Sequence, residues 1–144
     1  MFFKELSFRE KSAAIHIGAL ALLLAYTLII IWPFFSGFEE SILEVKPLWF
    51  AILIFILIEV IGHTWVALHN RREANTKSDE REKLITLKSS YYSSHVLGFI
   101  LIGYLALSII FQIPFLSVYF VFIIFVVAEI INYSCQLVLF RRGV

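Results

Sequence analysis

Glu59 and His63 are four residues apart in an otherwise apolar run, so on a helix they share one face. Glu129, Asn132, Tyr133 and Gln136 follow the spacing i, i+3, i+4, i+7 in a second apolar run and form a polar stripe. His16 and His95 stand in two further runs, His95 with Tyr91 and Tyr92 a turn before it. Side chains of these types support three kinds of chemistry. They can form a hydrogen-bond network that sets helix register, as interhelical polar contacts do inside membranes. They can carry protons or a substrate, since carboxylates within membrane spans mark such paths. They can also hold a metal or haem through His16, His63 and His95 with Glu59 or Glu129, because imidazole suits zinc, copper and iron.

The elements that must position these groups are membrane helices. The chain has 144 residues, 60% hydrophobic and 16% charged, a composition outside that of ordinary soluble domains. Apolar runs at about 13–35, 48–68, 91–111 and 115–139 each approach the roughly 20 residues needed to cross a bilayer. The expectation is one all-α domain over 1–144, an integral membrane four-helix bundle. A charged hairpin at 69–90 joins the second and third spans. The first run is too long for a cleavable signal, and Trp32-Pro33-Phe34-Phe35 follows it where a small-residue cleavage site would lie.

Charge sets the expected orientation. Eleven of the twelve Lys and Arg residues lie before the first run, between the second and third, or after the fourth; only Lys46 lies elsewhere, beside Glu39, Glu40 and Glu44. Basic residues collect on the cytoplasmic side, so both termini and the hairpin are expected in the cytoplasm, in a multi-pass protein of a bacterial inner membrane. Trp32, Trp49 and Tyr119 would anchor the outer interface and Trp65 the inner one.

Helix starts are marked locally. Ser7 with Glu10 three residues on is a capping box, placing the start of the first helix near Phe8. Phe2, Phe3, Leu6 and Phe8 suggest an amphipathic approach to the bilayer surface. Asp79 suits an N-cap with Glu82 in the capping-box position, so the third helix begins about two turns before its span. Asn75–Ser78 has loop composition, and Gln112-Ile113-Pro114 reads as a tight turn.

Counting about 1.5 Å per residue puts Glu59 near the middle of its span and Glu129 about 3 Å nearer the cytoplasm. His16, His63, His95, Asn132 and Tyr133 fall roughly 7–10 Å below the midplane. Each span thus offers a polar group to one layer, expected to face inward because an ionised group in lipid is costly. No HExxH pair, nucleophile elbow or phosphate-binding glycine loop is present. Ser93-Ser94-His95 lacks the glycines of a nucleophile elbow, and Cys135, the only cysteine, permits no intrachain disulfide. The mixed charges of 71–88 argue against nucleic acid as a partner.

Leu6-Ser7-Phe8-Arg9-Glu10-Lys11-Ser12-Ala13, Ser78-Asp79-Glu80-Arg81-Glu82-Lys83-Leu84-Ile85 and Ala128-Glu129-Ile130-Ile131-Asn132-Tyr133, with Gln136-Leu137 and Phe140-Arg141-Arg142-Gly143, form a pattern. It resembles small, functionally uncharacterised four-span membrane proteins of bacteria and archaea, over essentially the whole length. The resemblance implies an inner-membrane protein with no assigned reaction or catalytic residues. Encoding of some such proteins near helix-turn-helix regulators hints at signalling.

The reading favoured by the sequence is a non-catalytic membrane protein, a small sensor or regulatory subunit. It would act through a cytoplasmic or membrane protein partner, with Asp79, Glu80, Arg81 and Glu82 as the partner-binding surface. The alternatives are a proton-coupled transporter or oligomeric permease using Glu59 or Glu129, and a metal- or haem-binding membrane protein. No cofactor is otherwise expected, and a homo-oligomer stays open.

Overall fold

The structure, a computed structural model, describes residues 7–35, 46–74, 79–110 and 118–142, and these are helical nearly throughout. Helices α1 (Phe8–Phe35), α2 (Lys46–His69), α4 (Glu80–Ile110) and α5 (Val118–Arg142) are each long and apolar enough to cross a membrane; α3 (Arg71–Ala74) is a single turn after α2. The amphipathic approach at residues 2–6, the Asn75–Ser78 segment and the turn at Gln112-Ile113-Pro114 lie outside the described residues.

The capping box at the start of α1 is formed. Ser7 N donates to Glu10 Oε2 at 2.9 Å, and Glu10 N donates to Ser7 Oγ at 3.3 Å. Asp79 directly precedes α4 and its carbonyl accepts the first helical bond, from Lys83 N at 3.0 Å. Pro47 sits in the first turn of α2, where its missing N–H costs nothing.

The extensive contacts are α1 with α2, α1 with α5, and α5 with α4. Packing therefore runs α2–α1–α5–α4, and α1 and α5 are the central pair. Along their length the contacts form layers. Ile31, Leu48 and Tyr119 make an apolar cluster at one end, and Leu20, Leu23, Ala51 and Val126 make a second in the middle. Tyr119 is thus buried between helices, whereas Trp32, Trp49 and Trp65 are exposed.

The α4–α5 contact uses small groups. Ile85, Ser89 and Ser93, spaced i, i+4, i+8 on α4, are buried, and Ser93 Oγ donates to the Ala128 carbonyl at 2.7 Å. Lipid is as apolar as a leucine side chain, so close packing and such hydrogen bonds hold apolar helices together where water is excluded. The outward faces, from Ile29 and Leu53 to Phe99 and Ile109, are broadly apolar, as suits contact with hydrocarbon.

Beyond the middle cluster, toward the end of the bundle where α1 starts and α5 finishes, lies a polar layer and then a collar of charges. Arg9 Nε pairs with Glu82 at 3.2 Å and Arg141 Nε with Glu10 at 3.7 Å. Arg81 donates to the Phe140 carbonyl at 3.3 Å and Lys11 Nζ to Asn70 Oδ1 at 3.1 Å. These contacts join α1 to α4, to α5 and to the turn after α2, and α4 to α5. The two ion pairs among them are partly exposed and worth about 0.2–1 kcal/mol each. Their combined effect is to fix the relative positions of the helix ends.

Candidate functional site

The polar layer centres on Glu59. His16 Nδ1 lies 2.7 Å and His63 Nε2 2.9 Å from the same oxygen, Oε2. The Glu59–His63 contact is the i, i+4 pair expected on α2; His16 is brought from α1. The two imidazole centroids are 4.4 Å apart, and Tyr133 of α5 stacks on His16 at 4.2 Å and 20°. The other nitrogen of His63, Nδ1, is 3.3 Å from Ser12 Oγ. Ser12 and His16 are themselves four apart, so one face of α1 meets the His63 ring, Ser12 at Nδ1 and His16 beside the ring, while Glu59 of α2 holds Nε2.

Close helix approach makes this geometry available. A Cβ built on Gly62 would lie 2.9 Å from Cγ2 of Ile15. Gly62 and Ile15 directly precede His63 and His16 in the chain, so α1 and α2 come close beside the cluster. Any larger residue at 62 would separate the helices there.

The site is half-buried, and the Glu59 side chain is 12% exposed. Its second oxygen, Oε1, is the one buried side-chain oxygen among the described residues without a hydrogen-bond partner. An unsatisfied buried acceptor costs about 1–3 kcal/mol, so the cluster as it stands is not a closed hydrogen-bond network.

A groove of about 630 Å³ between α1, α2 and α5 opens beside the cluster. Its walls are apolar, with Leu20, Phe55, Phe122 and Phe125, and its polar end is lined by His16, Glu59, His63, Glu129 and Tyr133. A smaller cavity of about 150 Å³ lies toward the charged collar, lined by Arg9, Ser12, Glu82, Tyr133, Gln136 and His16 among others. His16 and Tyr133 line both spaces and stand between them.

The stripe on α5 is a ladder. Asn132 Nδ2 donates to Glu129 Oε2 and Gln136 Nε2 donates to Asn132 Oδ1, each at 3.3 Å. Of the seven residues assigned to one layer, the structure brings His16, Glu59, His63 and Tyr133 into direct contact. It sets Glu129 on the same groove and ties Asn132 to Glu129. His95 is not brought there. It is exposed, and its ring nitrogen Nδ1 is 2.8 Å from the Tyr91 carbonyl. The reason is angular: α4 packs through Ile85, Ser89 and Ser93, and two residues beyond Ser93 is about 200° around the helix. Three helices, not four, supply the layer.

The acidic and basic residues expected to face a partner divide in the same way. Asp79 and Glu80 are exposed, while Glu82 and Arg81 make the collar contacts with Arg9 and Phe140. Sequence reasoning missed Ser12 and Gly62. Ser12 was detectable as the i−4 neighbour of His16. Gly62 stood between two polar residues of an apolar helix but carries no signal of which helix approaches it.

Chemically, two imidazoles facing one carboxylate can share or pass a proton, or can coordinate a cation. No family model, curated protein or solved structure matches the chain.

Proposed function

We propose that the chain is a non-catalytic integral membrane protein, a small sensor or regulatory subunit that binds a ligand at the Glu59 cluster and reports through its charged end. The observation that carries this reading is that α1 holds both parts. His16 reaches Glu59, and one to two turns earlier Arg9, Glu10 and Lys11 bind α4, α5 and the turn after α2. A shift of α1 on ligand binding must strain or relax the collar, because a helix transmits displacement along its axis. In the orientation proposed from charge, the collar and the exposed Asp79 and Glu80 face the cytoplasm, where a protein partner would meet them. Kinship with small four-span membrane proteins, proposed from the Ser78–Ile85 motif, accords with a signalling role.

A photo-crosslinking residue placed at Glu80 in living cells tests this. A discrete protein adduct whose yield changes on Glu59→Gln is expected. Adduct formation indifferent to Glu59→Gln would overturn the link between site and surface.

A second reading, a proton-coupled transporter, draws on His16 and Tyr133 lining both cavities. Proteoliposomes holding a pH-sensitive dye separate the two. The sensor reading expects no proton uptake that depends on Glu59; uptake abolished by Glu59→Gln would favour transport.

A further inference from the structure

We infer that His16, Glu59 and His63 form a binding site for a divalent transition-metal ion of the zinc class. The inference rests on the ligand-sensing proposal for what the site is used for, but on its own geometry for what it binds. One ligand atom from each residue lies within 4.8 Å of the others. Two histidines and a carboxylate with remaining positions open to water is a ligand set of open zinc sites. Bonds of roughly 2.0–2.2 Å in tetrahedral array separate ligand atoms by about 3.3 Å. The present separations of 2.7 and 2.9 Å are short of that by about half an ångström, within reach of side-chain rotation alone.

Three further features fit a cation better than a closed hydrogen-bond network. The first is Glu59 Oε1, buried without a partner, which leaves the carboxylate with unused coordinating capacity. The second is charge. Glu59 and Glu129 line the same groove, and two ionised carboxylates in an apolar setting are costly; one divalent ion balances both. The third is support from outside the ligand set. Metal-bound histidines donate their outer N–H to a fixed acceptor, and Ser12 Oγ stands 3.3 Å from the outer nitrogen of His63. In a loaded site the outer nitrogens, Nε2 of His16 and Nδ1 of His63, carry the ring protons, and the Ser12 hydroxyl oxygen is within reach to accept from His63. The exposed His95 and His69 take no part.

The test is equilibrium dialysis of the detergent-purified protein against Zn²⁺ with elemental analysis, and a parallel titration with Co²⁺ read by visible absorption. The expected result is about one metal per chain, with the intense absorption of a four-coordinate, thiol-free Co²⁺ site. Glu59→Gln and His63→Gln, which preserve side-chain bulk, should each weaken binding by at least tenfold, Ser12→Ala by about 10–100-fold, and His95→Ala not at all. Wild-type protein that holds no more metal than the Glu59→Gln variant would overturn the inference, as would equal loss in His95→Ala. The failures are separable. No metal with crosslinking at position 80 still dependent on Glu59 overturns the metal alone. Metal bound normally with crosslinking indifferent to Glu59→Gln overturns the sensing reading alone.

Discussion

Replacing Gly62 by Ala should force α1 and α2 apart at the one place where the cluster needs them close. The new Cβ would meet Cγ2 of Ile15 at 2.9 Å, where ordinary contact begins at 3.4 Å. Ile15 is β-branched and stiff about χ1, so the helices rather than the side chain must yield, by about 0.5 Å, at an overpacking cost of about 1–3 kcal/mol. Ala also gains about 1 kcal/mol of helix propensity over Gly, which masks part of the loss. Gly18→Ala supplies the control, since nothing lies within 4 Å of a Cβ at that position and only the propensity gain remains. Unfolding titrations in mixed micelles should therefore place Gly62→Ala below Gly18→Ala by about 1–3 kcal/mol. The same displacement would lengthen the His16–Glu59 contact from 2.7 Å to roughly 3.2 Å, so the direct contact between the two side chains is weakened along with the packing. Equal stability in the two variants would refute the close approach.

Removing the α1 cap by Ser7→Ala should cost about 0.5–2 kcal/mol and raise amide exchange in the first turn of α1 without affecting α2. A double-mutant cycle on Arg9→Ala and Glu82→Ala should return a coupling of about 0.2–1 kcal/mol that shrinks in high salt, as expected of a partly exposed pair. Reporters active only in the cytoplasm should function near Thr76 and after Val144, and a periplasmic reporter near Ser41; cytoplasmic signal at Ser41 would contradict the charge-based orientation.

Features set by near neighbours in the chain were legible in the sequence. The Ser7–Glu10 box and the Glu59–His63 pair are three- and four-residue relations, and both are formed. The four long apolar helices were legible because composition and run length determine them. What sequence counting cannot supply is the direction around each helix. Depth alone placed His95 level with His16 and His63, but the Ser89–Ser93 face takes α4 against α5 and turns His95 outward. Glu82 had a local role on offer as a capping-box partner, yet its carboxylate meets Arg9 from another helix. Tyr119 carries the amphipathic ring of an interfacial anchor, but Ile31 and Leu48 enclose it. In each case the partner comes from a distant part of the chain.

Hydrogen–deuterium exchange of the protein in lipid nanodiscs, with and without saturating Zn²⁺, tests most directly whether the Glu59 cluster and the charged end act as one unit. Zn²⁺ should change exchange not only at residues 12–16 and 59–63 but also at residues 80–88, and Glu59→Gln should abolish both changes. Metal bound at the cluster with residues 80–88 unaltered would contradict the account.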